Sequence, residues 1–258
     1  METLTTLFTP HGNSTQWLAI AFIFLLAGMV KGVIGLGLPT VAIALLSLSM
    51  TTMQAAALLF LPSLLTNIWQ LGSIYRLLPL LRRLGPMLTG ICLGTFVSGL
   101  LFSKLDTVWS GAGLGVALLL YGAMGLASVN WQVSSQVERK LAPVIGIATG
   151  MVTAATGVFV LPSVPYLQAL SLDKDKLIQA MGLSFTVSTL ALSINLYGNG
   201  TLQWNTAGDS MLALLPALAG MQLGQILRNQ MQPMLFRRCF FIGLLALGVY
   251  YLWGAVKS

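Results

Sequence analysis

The sequence predicts an all-α, polytopic membrane protein built from two inverted repeats, each with a Gly-rich broken helical hairpin plus three transmembrane helices. Three observations predict it. Of the residues, 56% are hydrophobic and only 7% are charged, whereas soluble domains carry roughly a quarter charged residues. That much apolar surface needs lipid as its solvent. The halves 1–130 and 131–258 follow one plan, and each opens with an apolar segment too long for one crossing and interrupted by glycine and proline.

In order, the first half has a long broken segment at 17–49, then apolar segments at 53–71, 84–102 and 107–129, with a basic loop at 75–83. A polar connector, 130–140, leads to the second half. There the long broken segment is 141–170, followed by a charged loop (Asp173, Lys174, Asp175, Lys176) and segments at 177–196, 207–227 and 235–253. Each straight segment is long enough, at about 1.5 Å per residue, for a ~30 Å hydrocarbon core. The halves also align by residue. Pro86, Gly90 and Gly94 match Pro216, Gly220 and Gly224; Gln54 matches Gln179; Tyr121 matches Tyr251; Gly28-Met-Val30 matches Gly150-Met-Val152.

Lys and Arg in short loops set orientation. With Arg76, Arg82 and Arg83 in the cytoplasm, Arg139, Lys140, Lys174, Lys176, Arg228, Arg237 and Arg238 fall on the same side. Only Lys104 and Lys257 lie outside, and Lys31 is left in the membrane. This arrangement requires each long segment to enter and leave on one side, which inverts the second half relative to the first. Inverted repeats with Gly/Pro-interrupted segments at matching positions point to a secondary transporter with a midplane site.

Split into two arms, each long segment gives helices of about 22–25 Å, short of the ~30 Å core. Their tips are therefore expected inside the membrane, where free backbone groups need protein or a wet cavity. Gly32, Gly35 and Gly37 permit non-helical backbone and close ligand approach, and Pro39 suits the first turn of a new helix. The N–H groups at such a start favour an anion. In the second half Gly157 and Pro162 give the same punctuation, and Thr153 and Thr156 add hydroxyls. Gly90/Gly94, Gly220/Gly224 and Gly111/Gly115 read instead as helix-packing pairs.

Lys31 is the basic residue placed well inside an apolar segment, with no Asp or Glu at membrane depth to pair with it. Such a charge is costly unless paired or wet. An incoming anion is one partner for it; snorkelling to an interface is the other reading. Asn67 and Asn195 are deep neutral polar residues and weaker site candidates, since interhelical hydrogen bonding is the better reading for any single one.

Other classes find little support. The basic residues are scattered between apolar segments, which argues against a nucleic-acid partner. Cys92 and Cys239 stand apart, His11 lies in a polar lead, and 1–15 lacks the basic region of a signal peptide. No cofactor, metal site or catalytic cluster is suggested. A non-transporting assembly or sensor subunit would not need two hairpins. The sequence leaves the oligomeric state open, with a homodimer among the options.

The paired stretches Gly28-x-x-x-Gly32-x-x-Gly35-x-Gly37-x-Pro39 and Gly150 to Gly157 to Pro162, with the duplicated organisation and the size, resemble the TauE/SafE, or sulfite exporter, family. The resemblance covers nearly the whole chain. It implies a permease of the bacterial inner membrane for sulfite, organosulfonates or related sulfur-containing anions, often an exporter. It carries onto Gly32, Gly35, Gly37, Pro39, Gly157 and Pro162. Leu36 and Leu38 interrupt the glycine triplet common in such proteins, and Val158, Phe159 and Val160 replace the second. Alternating access by uniport is the expected mechanism, because an inside-negative potential favours anion exit by ~2.3 kcal/mol per charge per 100 mV. An importer of a related anion remains the alternative.

Overall fold

A computed structural model describes residues 14–72, 74–102, 107–127, 132–230 and 233–257. His11 and Lys104 lie outside the described residues. All regular structure among these is helical: α1 Ser14–Ile34, α2 Leu38–Leu46, α3 Thr52–Leu58, α4 Phe60–Leu71, α5 Ile74–Phe102, α6 Thr107–Ala127, α7 Ser135–Thr156, α8 Ser163–Ala169, α9 Lys174–Gly198, α10 Trp204–Gln230 and α11 Pro233–Lys257. Six helices among the described residues (α1, α5, α6, α9, α10 and α11) are long and apolar enough to cross a membrane; the bent pair α3–α4 makes up to seven spans. Of the apolar window of α9, 72% is buried, against 22–44% in the other five. α9 is therefore the central helix, and the others turn one face outward. Leu18, Phe22, Trp69, Trp109 and Trp253 are among the large side chains left on that outer face.

The breaks fall where local chemistry demands. α1 ends at Gly35, and Gly37 N-caps α2; their φ values of 86° and 108° are left-handed, which glycine adopts without penalty. Pro39 then sits in the first turn of α2. Gly157, with φ 72°, closes α7, and a cis peptide joins Leu161 to Pro162 before α8. The arms are unequal, contrary to the expected even split. α1 and α7 have 21 and 22 residues, and α2 and α8 only 9 and 7. The reason is that Gly28 and Gly32 do not punctuate; they lie inside α1, so the helix runs on to Gly35.

Two expected loops are helical. Residues 75–83 form the start of α5, where Leu80 and Leu84 are buried on one face and Arg82 and Arg83 lie on the other. Asp173 N-caps α9, its carboxylate accepting from Lys176 N at 2.9 Å. Likewise, the connector becomes α7 from Ser135 onward. The start of α3 carries a capping box: Thr51 Oγ1 accepts from Gln54 N (3.2 Å) and Gln54 Oε1 from Thr51 N (3.0 Å). The 54° bend between α3 and α4 takes Leu58 O and Leu61 N, on either side of Leu59, out of the regular ladder. Ser210 of α10 bonds both, donating to Leu58 O (2.7 Å) and accepting from Leu61 N (2.9 Å).

The closest helix pairs all join the first half to the second: α5 with α7, α1 with α10, α6 with α11, α4 with α9. Two of these seams are built alike on glycine. A Cβ on Gly220 would run into Leu25 O, on Gly224 into Met29 O, on Gly28 into Ala217 O and on Gly32 into Met221 O. On the other seam, Gly90 meets Pro143 O, Gly94 meets Ile147 O, Gly146 meets Met87 O and Gly150 meets Ile91 O. Such close backbone approach is what small residues permit in lipid. In both seams the paired helices run parallel. Packing thus matches Gly28 and Gly32 with Gly146 and Gly150, one turn away from the sequence pairing of Gly28 with Gly150. α7 has one more turn than α1 between this seam and its break.

At the α5/α7 end, Arg83 grips Glu138 with two hydrogen bonds, Nε to Oε1 (2.6 Å) and an Nη2 to Oε2 (2.8 Å), and reaches Leu170 O (3.4 Å). Tyr166 OH donates to Glu138 O at 3.1 Å. The cluster ties α5, α7 and α8 together. Because the Arg83 side chain is 42% exposed, Arg83→Ala is expected to cost only about 1–2 kcal/mol, read as a lower thermal midpoint in detergent.

Candidate functional site

α4 is apolar except for Ser63, Thr66, Asn67 and Gln70, spaced i, i+3, i+4 and i+7, so all four lie on one face of the helix. That face holds the end of α1. Lys31 is 2% exposed, and its Nζ donates to Thr66 Oγ1 at 3.0 Å and to Asn67 Oδ1. Thr66 Oγ1 in turn donates to Pro62 O (2.6 Å), and Asn67 Nδ2 donates to Ser63 Oγ (3.1 Å). Ser63 shares a hydrogen bond with Thr189 of α9 (3.1 Å). One turn beyond Lys31, Gln70 Nε2 donates to Gly35 O at 2.6 Å. α4 therefore clamps the tip of the first hairpin at two points and links it to the central helix. Lys31 does not snorkel.

Gly35 and Leu36 face a cavity of about 760 Å³. Its walls include Tyr121 and Met124 of α6, Val164 and Gln168 of α8, and Met181 of α9; Lys174, Arg228 and Arg237 supply the positive charge. No carboxylate pairs with these three cations among the described residues. Arg237 lies over the Phe241 ring, 5.5 Å from its centroid. A Cβ on Gly35 would meet nothing within 4 Å, so no side chain covers the tip here, while Gly35 N donates to Lys31 O and Gly35 O accepts from Gln70. The field at the cavity favours an anion.

The structure brings together Lys31, Gly35 and Asn67 and adds Ser63, Thr66, Gln70 and Thr189. The polar stripe on α4 is the signal that could have revealed them. It separates the remaining candidates. Gly32 packs on α10, and Gly37 lies against Val30 and Phe240. Pro39 is buried in α2. Thr153 and Thr156 donate their hydroxyls to Thr149 O and Val152 O, each at 2.7 Å. They are not free donors in this conformation, because in a helix interior the carbonyl four residues back is the nearest acceptor. Gly157 abuts Ile43 and Ala56 of the first half, and Val158, Phe159 and Val160 are buried. Pro162 N-caps α8. Asn195 Nδ2 donates to Thr95 O at 3.1 Å, with its side chain against Gly99 of α5.

Membrane-length apolar helices packed around a broken helix end, with a cation-rimmed cavity beneath it, define a multi-pass membrane protein. The family model described as Sulfite exporter TauE/SafE matches residues 20–251. The chain belongs to the TauE/SafE sulfite exporter family, whose members are membrane transporters and not enzymes. No curated protein and no solved structure matches the chain.

Proposed function

We propose that this chain is a secondary transporter of small sulfur-containing anions, such as sulfite or organosulfonates, and exports them across the bacterial inner membrane by alternating access. The observation that carries the reading is the break at Gly35: an open backbone tip, one turn below a buried lysine, over a cavity rimmed by Lys174, Arg228 and Arg237. The cations draw the anion in, the tip receives it, and Lys31 meets it once the grip of α4 loosens. The rim is cytoplasmic by the positive-inside rule. The tip at Gly157 is closed by Ile43 and Ala56, which fits a form open to one side only.

Residues 1–130 and 131–258 act as inverted repeats in this reading. The two glycine seams support it, since each joins the first helix of one half, running parallel, to the corresponding later helix of the other. Alternating access then exchanges the roles of the two tips, with the bend between α3 and α4 as a hinge beside the clamp.

The test is flux from proteoliposomes loaded in turn with sulfite, sulfoacetate, thiosulfate and sulfate. Efflux of at least one sulfur anion above that of empty vesicles is expected. Lys31→Ala should cut that flux at least about tenfold, the effect of losing one charged contact on the order of 1.5–3 kcal/mol. Unchanged flux and anion affinity would remove Lys31 from the site.

A further inference from the structure

We propose that Lys31 takes up one proton each time an anion binds and releases it with that anion on the other side, so that transport is anion–proton symport. The proposal rests on the transport reading above and adds its coupling ion; it replaces the uniport expected from the sequence.

The argument is a count of donors. Thr66 Oγ1 has committed its own hydrogen to Pro62 O, and the Asn67 amide nitrogen donates to Ser63 Oγ. Toward Lys31 both residues can therefore only accept. A neutral amine has two N–H groups, and they satisfy these two acceptors. The ammonium form has a third N–H and a full charge; among the described residues no third hydrogen bond reaches it and no carboxylate pairs with it, and the unpartnered Gln70 Oε1 of the cluster lies beyond bonding distance. An arriving anion supplies both at once.

The surroundings push the same way. Lys31 is the titratable group of α1, and α2 and α4 carry none. On α10, the acidic group is Asp209 and the basic one Arg228; Lys31 sits near the level of Met221 and Gly224, so Asp209 is about 18 Å away along the helix. α11 offers Arg237, Arg238, Cys239, Tyr250, Tyr251 and Lys257. The charges nearest the tip cavity, Arg228, Arg237 and Lys174, have the same sign as an ammonium. A site without an anion thus offers an ammonium no counter-ion, and an occupied one supplies it.

The cycle balances. Amine, proton and anion combine to an ammonium–anion pair on one side, and the pair separates into the same three on the other. A monoanion then moves with no net charge, and a dianion moves one negative charge.

The experiment uses the full chain in proteoliposomes with the potential clamped by potassium and valinomycin. The probes are methanesulfonate, which stays ionised at every pH used, with sulfite and sulfoacetate beside it. Anion efflux and lumenal pH are followed together. About one proton is expected to leave per anion, and methanesulfonate flux should be insensitive to potential. In Lys31→Arg, a fixed cation, the proton movement should be lost, and residual flux should become potential-dependent. Flux without protons in the wild-type protein overturns the symport proposal and leaves the transport reading standing; that measurement needs no variant. Proton coupling retained in Lys31→Arg or Lys31→Met overturns the assignment to Lys31. No flux of any probe overturns the transport reading and this proposal with it.

Discussion

Gly220→Val is expected to keep the helices from assembling. The ideal Cβ at this position runs into Leu25 O of α1, and its neighbours along the seam, Gly224, Gly28 and Gly32, leave equally little space. Overpacking a core typically costs about 1–3 kcal/mol when side chains can give way. Here the obstacle is backbone on a helix held along its length, so α1 and α10 must separate and the seam is lost. The loss should exceed about 3 kcal/mol, beyond the usual range for overpacking. Size-exclusion of the detergent-solubilised protein reads it as loss of the monodisperse peak, and Gly94→Val on the matching seam should do the same. Gly243→Val is the control, because nothing lies within 4 Å of a Cβ there. Equal behaviour of Gly220→Val and Gly243→Val would sink the packing account.

Gly35→Trp should do the opposite, sparing the fold and blocking flux. A Cβ at Gly35 meets nothing within 4 Å and the adjoining cavity holds about 760 Å³, so an indole is expected to find room there. The φ of 86° costs a non-glycine residue about 1–2 kcal/mol, which a bundle of this size can bear. Flux is expected to fall by at least about tenfold, equivalent to about 1.4 kcal/mol, with a normal size-exclusion profile. Gly35→Ala carries the same strain with little bulk and should retain much of the flux. A well-folded Gly35→Trp protein that transports at the wild-type rate would show that the cavity is not on the path.

Much of this was legible in the residues because its causes are local. Apolar length announces a membrane span without reference to partners. The ends of α1 and α7 could be read from Gly35, Gly37, Pro39 and Gly157, since a left-handed φ and a missing N–H act within one turn. The start of α5 was misread as a loop because Arg82 and Arg83 were weighed by charge, when Leu80 and Leu84 at helical spacing were the better guide.

The sequence by itself determined a polytopic helical membrane protein, the places where its first and second long segments break, and a lysine that needs a partner. Only the tertiary structure decided what each of these meets. Gly32 and Gly35 are three residues apart and of one type, yet the first seals a helix seam and the second opens on a cavity. Lys31 found its acceptors on α4, thirty-five and thirty-six residues away, and Ser210 mends a break in the opposite half. The physical reason is the same in each case. Periodicity and turn chemistry act over a few residues, but the face a helix presents acquires its role from the helix packed against it. Here the closest packing always joins one half of the chain to the other.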